Sequence, residues 1–170
     1  MRPQLMSLAA AFLLLLPVSN AYSRDGGFGF NAPSIHGAPT GEVLLAGGGS
    51  FDAATGFVKM GGAFRCLADI NQGPLSGCRA GEGDRWEAVQ LLPSTNFKCS
   101  GGADESPKTV FTGGHTVVLQ VAFFRQGDGA NPSFTALVFV SADDEAHDLP
   151  GTQNVWIQGV GCGDALVNFR

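Results

Sequence analysis

From Glu42 to Arg170 the apolar runs are short, and each stops at glycine, proline or an Asn/Asp turn. No stretch of about 12 or more residues carries apolar side chains at helical spacing, roughly the length a helix needs to hold. A chain punctuated in this way can bury its apolar surface only by pairing many short strands. The expected fold is all-β: about eight short strands, mostly antiparallel, in a β-sandwich, with a closed β-barrel as the alternative.

The strands follow from the punctuation. Glu42–Phe51 and Phe57–Ile70 are joined by a hairpin turn over Asp52–Gly56, where Gly56 is free to take positive φ. The Gly61-Gly62 pair inside the return strand predicts a bulge or a close backbone approach. Trp86–Leu92 fits either a strand or two helical turns, and Pro93 ends it. Thr95–Cys99 and Lys108–Thr112 are short strands. Thr116–Arg125 and Ser133–Ser141 read as a hairpin across Gln126–Pro132, with Val, Leu and Phe at strand density. A last hairpin, Asn154–Gly159 with Ala165–Arg170, turns around Gly161–Asp164.

Alternation puts Val117, Leu119, Val121 and Phe123 on one face, and Val118, Gln120, Ala122 and Phe124 on the other. In the partner strand Phe134, Ala136, Val138 and Val140 oppose Thr135, Leu137, Phe139 and Ser141. The mixed second face suits a strand covered on both sides or a binding surface, so Phe124 and Phe139 are candidate ligand contacts. Thirteen Phe against one Tyr mark the aromatics mainly as core filler.

Before Glu42 the chain has another character. Leu5–Pro17 is almost wholly apolar, and Ser19-Asn20-Ala21 places small residues at the −3 and −1 positions of a cleavage site. Residues 1–21 therefore read as a signal peptide. The apolar run of about 13 residues is short of the ~20 that span a bilayer, and no later segment is a better span. Tyr22–Thr40, rich in Gly, Ala, Pro and Ser, reads as an extended, partly mobile lead-in to a single β domain over 41–170.

Export makes disulfides the natural use of Cys66, Cys78, Cys99 and Cys162. Four cysteines allow three pairings; the preferred one joins Cys66 to Cys78 and Cys99 to Cys162. Zinc wants closely spaced pairs, whereas these gaps are 12, 21 and 63 residues. The net charge of −5, with only 10 Lys plus Arg, excludes a nucleic-acid binder. No cofactor is expected, since Gly47-Gly48-Gly49 lacks the strand-to-helix setting and spacing of a phosphate loop.

Three stretches, GGGSFDAATGFVKMGGAFRC at Gly47–Cys66, LLPSTNFKC at Leu91–Cys99 and NVWIQGVGCG at Asn154–Gly163, together resemble a group of small exported, uncharacterised bacterial proteins. The resemblance implies a secreted, β-rich, disulfide-tied protein and brings no catalytic residues with it.

Three side-chain groups could carry chemistry. His115 opens a strand and would serve an enzyme if an acidic partner met it; His36 and His147 lie in a lead-in and an acidic loop, and no G-x-S-x-G elbow occurs. Asp143, Asp144, Glu145 and Asp148, with His147 among them, form the densest set of oxygen ligands and a candidate calcium site, though without EF-hand spacing. Trp86 and Arg85, flanked by Glu82 and Glu87, could stack on a sugar face or simply pack under a loop. The leading expectation is an exported, non-enzymatic binding protein. Its partner would be a small lipophilic ligand in a Phe/Val pocket or a protein on a flat patch. The alternatives are a small-barrel enzyme using His115 and a cell-envelope component held by strand-edge pairing.

Overall fold

The computed structural model describes residues 26–170, so the expected signal peptide lies outside the described residues. The strands are β1 (Gly26–Gly37), β2 (Glu42–Asp52), β3 (Phe57–Ala68), β4 (Asp84–Leu92), β5 (Ser94–Phe97), β6 (Lys108–Phe111), β7 (Thr116–Arg125), β8 (Phe134–Ser141), β9 (Val155–Ile157), β10 (Gly161–Gly163) and β11 (Leu166–Phe169). Among the described residues there is no helix.

The strands run antiparallel in the order β1-β2-β3-β4-β7-β8-β9-β10, and β10 returns to β1. Eight strands thus close into a barrel. The sheet closes rather than splitting into a sandwich because of β1. Within the stretch expected to be an extended, partly mobile lead-in, residues 26–37 form a strand paired with β2 on one side, and with β10 and β11 on the other. Its composition hid it: Pro33 lies at the register break between Ala32 and Ile35, where a strand tolerates proline. His36, placed by the sequence in the lead-in, faces Cys162 across that ladder.

The last hairpin also differs from the expectation. Gly161–Gly163 is a strand, paired with β9 and with β1, and the chain turns instead through Gln158–Val160, with Gly159 at φ 80°. Trp86–Leu92 resolves as strand, since β4 pairs with β7 along its length; a break between Ala88 and Gln90 leaves Val89 exposed. The Asp52 turn forms as read: its carboxylate accepts the Ala54 amide at 2.8 Å, and Gly56 sits at φ 75°.

Inside the barrel Val117, Leu119, Val121 and Phe123 meet Ala136, Val138 and Val140 in one buried cluster. Trp86 lies in it too, against two glycines. A Cβ on Gly47 would come within 2.6 Å of the indole, and one on Gly62 within 2.8 Å. The Gly61-Gly62 pair is therefore the close approach the sequence suggested, with the β2–β3 register unbroken through it. The indole N–H donates to the Ala46 carbonyl at 3.0 Å. Eight-stranded barrels are just wide enough for side chains to fill, and this interior is of that kind.

The opposite face of β7 and β8 is also covered. The β5–β6 hairpin packs outside the barrel, placing Phe97 and Val110 over Val118, Phe139 and Trp156. The Cys99–Cys162 disulfide ties this hairpin to β10, and Cys66–Cys78 ties β3 to the loop before β4, as preferred from the sequence.

Candidate functional site

The site begins with two glycines. Beyond the facing pair Ala63 and Arg85, the segment Gly81–Gly83 lies alongside β3, with Cys66 N–H donating to Glu82 O (2.7 Å) and Gly81 N–H to Cys66 O (2.7 Å). Gly83 has φ 144°, and a Cβ there would sit 2.3 Å from the Phe64 carbonyl. Only glycine lets this strip lie flat on β3. What results is a groove on the outer barrel surface, made of two adjoining clefts that share Gly83 and Gln126. The larger, about 510 Å³, is lined by Leu44, Ala63, Arg65, Leu67 and Asp84; the smaller, about 320 Å³, by Glu82, Arg125 and Asp128.

Most charges at its rim are occupied. Glu82 accepts the Arg79 amide at 3.0 Å and the Arg125 guanidinium at 3.4 Å. The Arg79 amide first, and Arg125 after it, hold its carboxyl below the usual range against the opposing effect of burial. Asp128 accepts the Ser133 hydroxyl and the Arg125 amide, both at 2.6 Å, and these lower it likewise. Arg65 differs: among the described residues its guanidinium makes no hydrogen bond or ion pair. It stands between half-buried Leu44 and Leu67, which is 39% exposed. An unpaired guanidinium flanked by leucines can hold a carboxylate or a carbonyl of a partner whose apolar groups cover the leucines.

The residues singled out from the sequence do not converge. Trp86 is inside the barrel and reaches no sugar face. Arg85 caps the outside of Phe124, 4.0 Å from its ring, and bonds to Glu87 and to the Gly129 carbonyl; this is the packing arrangement, with both residues committed. Phe139 is fully buried beneath the β5–β6 hairpin, which covers this part of the mixed face. His115 is exposed at the turn into β7, 6.2 Å from the Phe169 ring, and no carboxylate bonds to it among the described residues. Among the described residues the acid–base pair of the enzyme alternative is not assembled.

The acidic loop is turned on itself. Asp144 accepts the Ala146 and Gln153 amides at 3.1 and 3.0 Å, and Glu145 accepts the Ser141 hydroxyl at 2.8 Å. Asp148 pairs with Lys108 at 3.0 Å, and the Asp143 amide donates to Ser141 Oγ. Among the described residues no group of three His, Cys, Asp or Glu side chains could hold a metal ion. Asp144 serves the loop's own amides, Glu145 the Ser141 hydroxyl and Asp148 the Lys108 ammonium, and the carboxylates do not converge as calcium ligands. Gly47-Gly48-Gly49 is a stretch of β2 packed between β1 and β3, not a phosphate loop.

Sequence reasoning missed Glu105, in the turn between β5 and β6. Its carboxylate accepts the Cys99 and Ser100 amides (both 2.7 Å), the Ser100 hydroxyl (2.6 Å) and Lys108 (3.3 Å). Burial works to raise this carboxyl, but the Ser100 hydroxyl, the two amides and Lys108 prevail and hold it to about 2. The only hint was a glutamate five residues beyond a serine. The groove was equally hidden, since its walls come from β2, β3 and the β7–β8 turn.

No protein-family model matches the chain, and comparison with curated proteins and with solved structures gave no match. The functional reading rests on the geometry above.

Proposed function

We propose that this is an exported, non-enzymatic binding protein that engages a protein partner through the outer groove around Arg65. The observation that carries the reading is the unpaired Arg65 guanidinium of β3, set between Leu44 and Leu67 beside the Gly81–Gly83 strip that only glycine allows to lie flat. Two further facts support it. Phe and Val side chains fill the barrel interior against one another, while Phe139 is covered by the β5–β6 hairpin and Phe124 by Arg85. Two disulfides fit an oxidising compartment, where small domains use them as staples.

A photo-crosslinking side chain at Leu67, and another at Thr109 on the β5–β6 hairpin, distinguish groove binding from adventitious contact. In the native compartment, position 67 is expected to give an adduct of one discrete mass, lost in Arg65→Glu. Equal adducts from both positions, or none from 67, would refute the proposal.

A further inference from the structure

We propose that the occupant of the groove is an extended internal segment of a partner protein that carries a carboxylate and, two residues from it, a cation. The inference rests on the groove reading above and adds the chemistry of what the groove takes. Arg65 and Asp84 line the same cleft of about 510 Å³. They have opposite charges, and among the described residues no ion pair joins them and Arg65 has no partner at all. The Asp84 carboxylate is 53% exposed and has only Arg85 near it, at 3.9 Å. Arg85 is itself already bonded to Glu87 at 3.1 Å and to the Gly129 carbonyl at 2.7 Å. One cleft thus holds a cation and an anion that are both left for an occupant to answer.

Gly83 sets their separation. A Cβ there would lie 2.7 Å from the Arg65 Cα, so the two residues are neighbours across the strands, and Asp84 is the next residue along. The charges are therefore about one strand spacing apart across the sheet and one residue apart along it. Side chains on one face of an extended chain repeat every ~6.6–6.8 Å, which matches that offset. An acid and a base two residues apart can meet Arg65 and Asp84 together, and the flanking aliphatic groups then cover Leu44 and Leu67.

Two features favour a peptide as the carrier of those charges. Gln126 stands where the two clefts join, and its side-chain amide makes no hydrogen bond among the described residues. It offers a donor and an acceptor, which the C=O and N–H of a peptide unit answer. The second cleft continues the first and lets a chain run on. Its lining sets two carboxylates, Glu82 and Asp128, against the one guanidinium of Arg125, so the cationic end of the segment is the end that enters it.

The test is selection of a displayed library of random short peptides, held internally so that no chain end is free, on the immobilised protein with both disulfides formed. Asp or Glu with Lys or Arg two residues away should be enriched over the unselected library. Arg65 and Asp84 are both exposed, so variants there fold. A selected peptide, labelled for anisotropy, should bind Arg65→Gln about threefold more weakly at low salt, the order expected for one exposed ion pair. Replacing its cation by alanine should weaken binding to wild type but not to Asp84→Asn. A selection without the acid–base pair would overturn the proposal, and so would a selected peptide that binds both variants as tightly as wild type. The adduct at position 67 separates the two readings. If it forms while the selection fails, the groove stands and the occupant's chemistry is wrong; if neither appears, both readings fall.

Discussion

A single carboxylate can do the work of a cap, a turn and an ion pair, and Glu105 does all three beside Cys99. Replacing it with glutamine keeps the shape but weakens bonds to two amides, a hydroxyl and an ammonium. Bonds to charged groups contribute about 1.5–3 kcal/mol, so Glu105→Gln should lower stability near neutral pH by roughly 2 kcal/mol in urea denaturation. The pH dependence follows from the sign of the shift. The folded carboxyl titrates at about 2 and the ordinary value is 4.5, so its contribution is fully present above that ordinary value. It is lost as pH falls toward about 2. The gap between wild type and variant should therefore close over that acid window; a gap constant from neutral pH downward would show that Glu105 acts only through packing.

Among the elements, the β5–β6 hairpin is the one whose place depends most on a covalent tie. It shields Phe139 and Trp156 from outside, and the Cys99–Cys162 bridge fixes its end. Removing both cysteines as Cys99→Ala/Cys162→Ala should cost roughly 3–4 kcal/mol, as expected for a loop of about 60 residues. Trp156, whose N–H donates to the Lys98 carbonyl at 2.9 Å, should then report the loosened hairpin by a red-shifted emission. Unchanged emission with full stability would mean that the apolar contacts alone hold the hairpin. This element also shows what was legible beforehand. Thr116–Arg125 was readable because its apolar density is local, and the Asp52 turn because an aspartate and a glycine specify it within five residues. β1 was not readable, because Gly, Ala, Pro and Ser disguise a strand whose pairing is supplied by residues at the other end of the chain. The mixed face of β7 and β8 was visible, but what covers it was not. The cover comes from a separate hairpin, and strand alternation carries no information about that.

For the molecule as a whole, closure is the decisive event, and one buried side chain braces the strands beside it. Asn154 links three strands at the seam: its backbone carbonyl accepts from Ser141 at 2.8 Å, and its amide donates to the Gly163 carbonyl at 3.1 Å. Its side chain satisfies both backbone groups of Ala165, at 2.7 and 2.9 Å. Asn154→Ala would leave that N–H and C=O unpaired in a place water does not reach, and each such orphan costs about 1–3 kcal/mol. The expected loss is roughly 2–4 kcal/mol, a large share of the stability of a domain this size. A barrel has no independent edge from which to unfold piecemeal, so the loss should appear as one transition moved to lower urea with an unchanged slope. Tryptophan emission follows Trp86 inside the barrel and Trp156 outside it, and far-ultraviolet circular dichroism follows the strands themselves. The two signals should move together. Separate midpoints would mean that β1 and β10 can part while the rest of the sheet stays folded, and that the seam does not govern cooperativity.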